Sequence, residues 1–460
     1  MAASDPGAEA SAGLPREHGT QTEEGGAEAA YGFEIVSRRD IICDMIPRYY
    51  TPLLGEYLET FPVVALVGSR QVGKSTLVLQ PEIGEGRRYV TLDDISARSA
   101  AEEDPEALLS WSDRLTIDEV QLVPELLRGI KQRVDRDRAP GRFLVTGSAD
   151  LNTCVELSAT LAGRVGVLRL PPLTCFERQG ARGVPLWAAF FQEGRSAAAA
   201  WSGTCGVFDW QRLAEGGFPL SVTAESWRQR MLWFESFRST YLERDLRRIS
   251  DIGNLTGFAR LMERSATRTA QVLNQAGLGR SAGLNAATTG RYLSILEASF
   301  LIRRLQPFFA NIGKRLVKSP KLYWTDTGLV SHLLGVTPED VADGHRIRGA
   351  LFETAVMQEV AALLPPLIPG ARLFYVRSHD GLEVDGLIQR GSRRVPFEVK
   401  ASTTLRSDDA ASVMRWLRLS KSREDGMILY PGTDVKPLTS RVWAVPFLAA
   451  VEARQFSCPA

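Results

Sequence analysis

Cysteine is scarce in this chain of 460 residues: there are five, at Cys43, Cys154, Cys175, Cys205 and Cys458, and no two have CxxC spacing. That spacing argues against a zinc site and against a disulfide framework, and it predicts reduced thiols in a cytoplasmic protein. The four histidines show no metal-ligand spacing either. Net charge is nearly absent, with 55 Lys and Arg against 54 Asp and Glu, so any nucleic-acid surface has to be a local patch. No apolar run reaches the roughly 20 residues of a membrane span. The N-terminus has no signal-peptide core, and no internal repeat is found. Residues 1–31 are biased to Gly, Ala, Glu and Ser and are expected to be disordered.

What is present is ordinary globular composition, 44% hydrophobic, in a chain too long for one core. Short apolar runs in "VVALVG" (63–68), "RYVTLDD" (88–94), "DRLTIDEV" (113–120) and "RFLVTGS" (142–148) read as strands. "DPEALLSW" and "PELLRGIKQRVDRD" between them read as helices. Strands alternating with helices predict an α/β core over 32–175, its parallel sheet covered on both faces. Residues 176–254 are expected to hold a helical lid, with a small-residue loop around "GRSAAAAWSGTCG", and one long amphipathic helix over 226–249. Its tryptophans, Trp227 and Trp233, read as core.

"GSRQVGKST" carries the spacing GxxxxGKS/T between a strand and a helix, the context that makes it a phosphate-binding loop. The backbone of Gly68, Ser69, Arg70, Gln71, Val72, Gly73, Lys74, Ser75 and Thr76 would wrap the phosphates of ATP. Lys74 would contact the β- and γ-phosphates, and the Ser75 hydroxyl would ligate Mg²⁺. In "LTIDEVQ", Asp118 would hold the same ion and Glu119 would polarise the attacking water. These residues predict a nucleotide hydrolase.

Together "GSRQVGKST", "TIDEVQLVPELL", "LVTGS", "LAGRVGVLRLPPLT", "GGFP" and "TYLERDL" resemble an AAA+-type ATPase family of bacteria and archaea. The likeness runs from about Arg48 to Ser402. That family usually has Thr where this chain has Ser75, and the hydroxyl is kept. The resemblance implies that Thr146 or Ser148 is the polar sensor near the γ-phosphate, with no choice between them from spacing. It also implies Arg164 as an arginine finger, in cis or on a neighbouring subunit of a ring or dimer, against the plain alternative of a salt bridge.

Residues 255–340 have the rhythm of a winged helix. A helix up to about Leu273 precedes an elbow at Gly283, a second helix over 288–298, a strand in "FLIRRLQPF" and a basic hairpin. In such folds the second helix enters a groove of DNA and the wing holds phosphates, although the module also serves protein–protein contacts. Arg280, Arg291, Lys314 and Arg315 are the candidate DNA contacts, with Arg303, Arg304, Lys318 and Lys321 adding positive charge.

In 341–460, "GALFETAVMQEV" reads as an amphipathic helix carrying Glu353. "LEVDGLIQ" and "PFEVKAS" read as paired strands on which Asp385, Glu398 and Lys400 share a face. Asp385 and Glu398 would bind Mg²⁺, and Lys400 would orient water or stabilise developing charge, the chemistry of phosphodiester cleavage. This order resembles the PD-(D/E)XK nuclease superfamily, without the proline before Asp385. Retained cleavage and a nuclease fold kept only for binding both stay open. Two readings of the whole follow: an ATP-driven enzyme that remodels or moves on branched or broken DNA in repair or recombination, or a nucleotide-sensing switch of signalling or toxin–antitoxin type.

Overall fold

In the computed structural model the described residues are 46–148, 160–180, 183–242, 246, 252–308 and 318–451, all within one compact unit, Ile46–Ala460. The expected disordered tail, the residues up to 45 and the tip of the basic hairpin lie outside them.

Five strands, β1 (Val63–Gly68), β2 (Arg88–Thr91), β3 (Leu115–Asp118), β4 (Phe143–Ser148) and β5 (Val165–Arg169), form an all-parallel sheet in the order β2-β3-β4-β1-β5. β1 is buried throughout, and its period of two feeds two cores. Val63, Ala65 and Val67 pack with Ile117, Ile130 and Val145. Val64 and Leu66 pack with Leu54, Leu77 and Leu168 on the other face. A strand buried on both sides has to be apolar at every position, which is why "VVALVG" does not alternate.

Next in the chain the structure departs from the expected lid. After β6 (Val184–Pro185) and the helix Leu186–Glu193, the helix Arg195–Ala200 takes up the first part of the expected small-residue loop, while 201–206 has no regular structure. Trp187, Phe190 and Phe191 are buried. The four successive alanines, Ala197–Ala200, favour a helix over a loop, because alanine loses no side-chain freedom in one. These helices do not form a free lid. The Leu186 N–H donates to Ala449 O, the Trp201 indole donates to Ala450 O, and Arg195 pairs with Asp425. Residues 184–201 are thereby tied to the C-terminal sheet, across the expected boundary between 176–254 and 341–460. Of the long helix expected over 226–249, Trp227–Thr240 is described, started by a capping box from Ser226; most of its expected last turns lie outside the described residues. Trp227 and Trp233 pack against the largest core, as expected.

The described residues of 252–324 give the helices Leu255–Ala266, Gln275–Ala282 and Ala286–Ala298 and three short strands, β7 (Gln271–Val272), β8 (Ile302–Leu305) and β9 (Lys321–Trp324). The strands form an antiparallel sheet in the order β7-β9-β8. The first helix stops at Ala266, short of the expected Leu273, because 271–272 pairs with β9. Gly283 does form the elbow, at φ +72°.

The C-terminal sheet has six strands: β10 (Arg372–Arg377), β11 (Glu383–Arg390), β12 (Arg393–Val399), β13 (Gly426–Tyr430), β14 (Lys436–Pro437) and β15 (Val442–Pro446). Their order is β10-β11-β12-β13-β15-β14, with β12, β13 and β15 parallel and the rest antiparallel. The helix Arg348–Leu367 covers one face and Ala411–Leu419 the other. A final strand, β16 (Ala450–Val451), pairs with β6. Among the described residues no helix is long and apolar enough to cross a membrane.

Candidate functional site

The phosphate loop turns from β1 into the helix Lys74–Val78. Gly73 caps that helix at φ +93°, a conformation that favours glycine. Lys74 is buried, its ammonium 3.0 Å from Ser69 O and 3.2 Å from Gly68 O. The Ser75 hydroxyl donates to Asp118 Oδ2 at 3.0 Å, and the Tyr89 hydroxyl donates to the same oxygen at 2.8 Å. Burial, with Asp118 beside it, raises the Tyr89 hydroxyl far above its ordinary pKa, so it stays a donor. Ser75 and Asp118 thus sit together as hard oxygen donors, the set that Mg²⁺ takes.

Thr146 donates to Asp118 Oδ1 and accepts the Glu119 N–H at 3.3 Å; the side chain of Ser148, the other sensor candidate, lies outside the described residues. Glu119 adopts φ +58°, and its carboxylate accepts from the Gln121 amide. A cavity of about 410 Å³ opens beside these groups, lined by Arg70, Gln71, Gly73, Lys74, Ser75, Thr76 and Glu119, with Pro219 and Leu220 contributing from another segment. Val72 is buried, and its carbonyl accepts from Arg48 at 3.1 Å. Sequence reasoning missed Arg48 and Tyr89, which carry no motif of their own, and Gln121, whose contact with Glu119 the motif "LTIDEVQ" does not reveal.

Arg164 is placed at the far end of the sheet. β5 begins beside Val63, whereas the loop leaves β1 after Gly68, about 16 Å along the strand at ~3.3 Å per residue. Its guanidinium bonds Asp135 at 2.5 Å and Ala162 O at 2.9 Å. Action in cis is corrected by that placement, and the salt bridge is what the chain itself shows.

The acidic cluster assembles from several elements. Glu353 comes from the helix Arg348–Leu367, Glu383 and Asp385 from β11, and Glu398 from β12. Gly386 lets β11 lie against the Phe397 ring, where a Cβ would come within 2.0 Å of it. Asp385 Oδ2 accepts the Val399 N–H at 3.0 Å. Lys400 lies just past β12, its ammonium 3.4 Å from Glu398 Oε1. Burial, reinforced by Asp385, pushes Glu353 to about 7 and Glu398 to about 8, against the opposing pull of Lys321 and Lys400.

The unexpected member is Lys321. Its ammonium lies 2.9 Å from Asp385, 3.1 Å from Glu353 and 3.1 Å from Glu383. Burial alone would lower its pKa, but Tyr323, Asp385, Glu353 and Glu383 hold it well above the ordinary value. It was expected on a DNA-facing surface, and its burial in the cluster corrects that. Arg304 is likewise engaged, with Glu297. Arg280 and Arg291 are exposed, while Lys314 and Arg315 lie outside the described residues. Among the described residues no three Asp, Glu, His or Cys side chains converge to hold a metal ion. Glu398 Oε2, however, is buried with no hydrogen-bond partner, and the antiparallel register that pairs Gly386 with Phe397 sets Asp385 beside Glu398, so these two carboxylates fit one divalent ion.

Residues 60–178 match the AAA domain family. Residues 210–340 match a domain of unknown function (DUF8612), and residues 348–449 another (DUF4143). Uncharacterized protein Rv2008c of Mycobacterium tuberculosis and Uncharacterized protein Mb2031c of Mycobacterium bovis are each 33% identical over 392 residues, 85% of this chain and 81% of theirs. Among solved structures, the Walker-type ATPase PABY2304 of Pyrococcus abyssi matches 63% of this chain and 96% of its own at 14% identity, with a TM-score of 0.39. The Thermotoga maritima RuvB Holliday junction branch migration motor matches 56% and 90% at 20% identity, with a TM-score of 0.26. The chain belongs to the family of the two mycobacterial proteins, and its residues 60–178 are an AAA-type P-loop ATPase domain.

Proposed function

We propose that the chain hydrolyses ATP with Mg²⁺ to remodel or move on DNA, and that its C-terminal cluster is a nuclease-type phosphodiester site. The observation that carries the second half is the buried, unpartnered Glu398 Oε2 beside Asp385, with Lys400 at the rim. A divalent ion held by Asp385 and Glu398 would supply charge neutralisation and water activation. Lys400 would steady the attacking water and the phosphate. The order helix, strand, helix, helix, strand, strand over 255–324 supports a winged helix, and exposed Arg280 and Arg291 give it a cationic face for phosphates.

The test has two arms. ATP turnover is measured alone and with single-stranded, duplex and branched DNA; stimulation by one of them supports the reading, and a slow rate indifferent to all three favours the nucleotide-sensing switch. DNA cleavage is measured with Mg²⁺ or Mn²⁺, and Asp385→Asn should abolish it while leaving ATP turnover intact. No cleavage of any DNA form by the parent protein would leave this domain a binding module.

A further inference from the structure

β9 sends two side chains into the acidic cluster from one face, Lys321 and Tyr323, two residues apart. The Tyr323 hydroxyl donates to Glu353 Oε1 at 2.6 Å. The Lys321 ammonium has three N–H donors, and three carboxylates stand within 3.1 Å of it. The oxygens through which Glu353 and Asp385 could share a metal ion are therefore turned toward Nζ. On the other side, Glu398 faces Asp385 across the β11–β12 pair and keeps a buried oxygen, Oε2, with no hydrogen-bond partner.

We propose that Lys321 is a tethered cation occupying one of two cation places in this cluster, so that a single divalent ion binds, between Asp385 and Glu398, and binds more weakly than it would without the lysine. The proposal rests on the reading of the cluster as a metal site. Its physical basis is that an ammonium 2.9 Å from Asp385 cancels one charge of the ligand set and repels a neighbouring divalent ion. Without Lys321, the carboxylates would be left crowded and buried, and a metal ion would be the group that relieves them.

Mn²⁺ is titrated into the nucleotide-free full chain, free ion is read by electron paramagnetic resonance, and Tm is followed with and without Mn²⁺. Lys321→Gln should bind Mn²⁺ about tenfold more tightly, or take up a second ion, because a repelling charge is gone. Its Tm should fall without metal and recover with Mn²⁺, while Lys321→Arg behaves as the parent. Lys321→Gln binding no tighter than the parent, or remaining insoluble even with Mn²⁺, overturns the proposal and leaves Lys321 a structural ion-pair partner. Asp385→Asn separates the two failures. If it leaves Mn²⁺ binding unchanged, the metal-site reading falls and the proposal with it; if it weakens binding while Lys321→Gln does not strengthen it, only the role of Lys321 falls.

Discussion

Arg48→Ala tests the contact between the phosphate loop and the rest of the chain. The guanidinium spends its donors on Glu177 Oε1 at 3.2 Å, Val72 O at 3.1 Å and Pro171 O at 2.6 Å, and the ion pair is buried on both sides. Removing one partner of such a pair costs about 3–5 kcal/mol, because the other charge stays buried. Glu177 keeps the N–H groups of Tyr49 at 2.8 Å and Thr174 at 2.9 Å, which places the loss near the lower end. At about 2 °C per kcal/mol for a large body, a loss of about 3 kcal/mol is a Tm fall of about 6 °C. Val72 lies within the phosphate loop, so ATP affinity should fall several-fold as its carbonyl loses a fixed donor. Thermal melting and fluorescent-nucleotide titration read the two effects. A variant that melts within about 1 °C of the parent and binds ATP equally well would refute the reasoning.

Lys74→Ala should lose nucleotide binding, whereas Glu119→Gln should keep it and slow phosphate release by about 100-fold or more, since only water activation is removed. Burial raises Glu359 to about 8, against the N–H groups of Cys175 and Phe176 that favour its charge. The folded chain then holds a proton that the unfolded chain releases near its ordinary value, so stability from this group falls as pH rises from about 4.5 to 8, and Glu359→Gln should flatten that part of a Tm-against-pH curve. Arg291→Glu should weaken DNA binding and lower the slope of log K against log salt by about 1, measured by anisotropy.

The ATP site was legible because its chemistry is local. The loop residues run consecutively from Gly68 to Thr76, Asp118 ends one strand with Glu119 directly after it, and the apolar runs of a doubly covered sheet are readable without partners. What escaped was every residue whose role depends on a distant partner. Arg48 meets Glu177 and Tyr89 meets Asp118 only after folding. Arg164 misled for the opposite reason: a family likeness names the residue, while the register of β5 against β1 decides which end of the sheet it occupies.

The C-terminal cluster divides along the same line. Strand alternation was enough to bring Asp385 and Glu398 together, because residues two apart share a face and antiparallel pairing sets one strand beside the next. Lys321 was invisible to that logic. It sits in "KSPKLYW", where neighbouring lysines make a basic surface the natural expectation, and nothing local marks it as buried. Its place is set by contacts between segments far apart in the chain: Phe308 N–H donates to Tyr375 O, Tyr375 N–H donates to Gln306 O, and Thr269 bonds Thr354. These fix β9 against the helix that carries Glu353 and the strand before Asp385. A buried ammonium among carboxylates is stable only where such docking supplies several partners at once, so its burial and its three carboxylate contacts are one fact of tertiary structure.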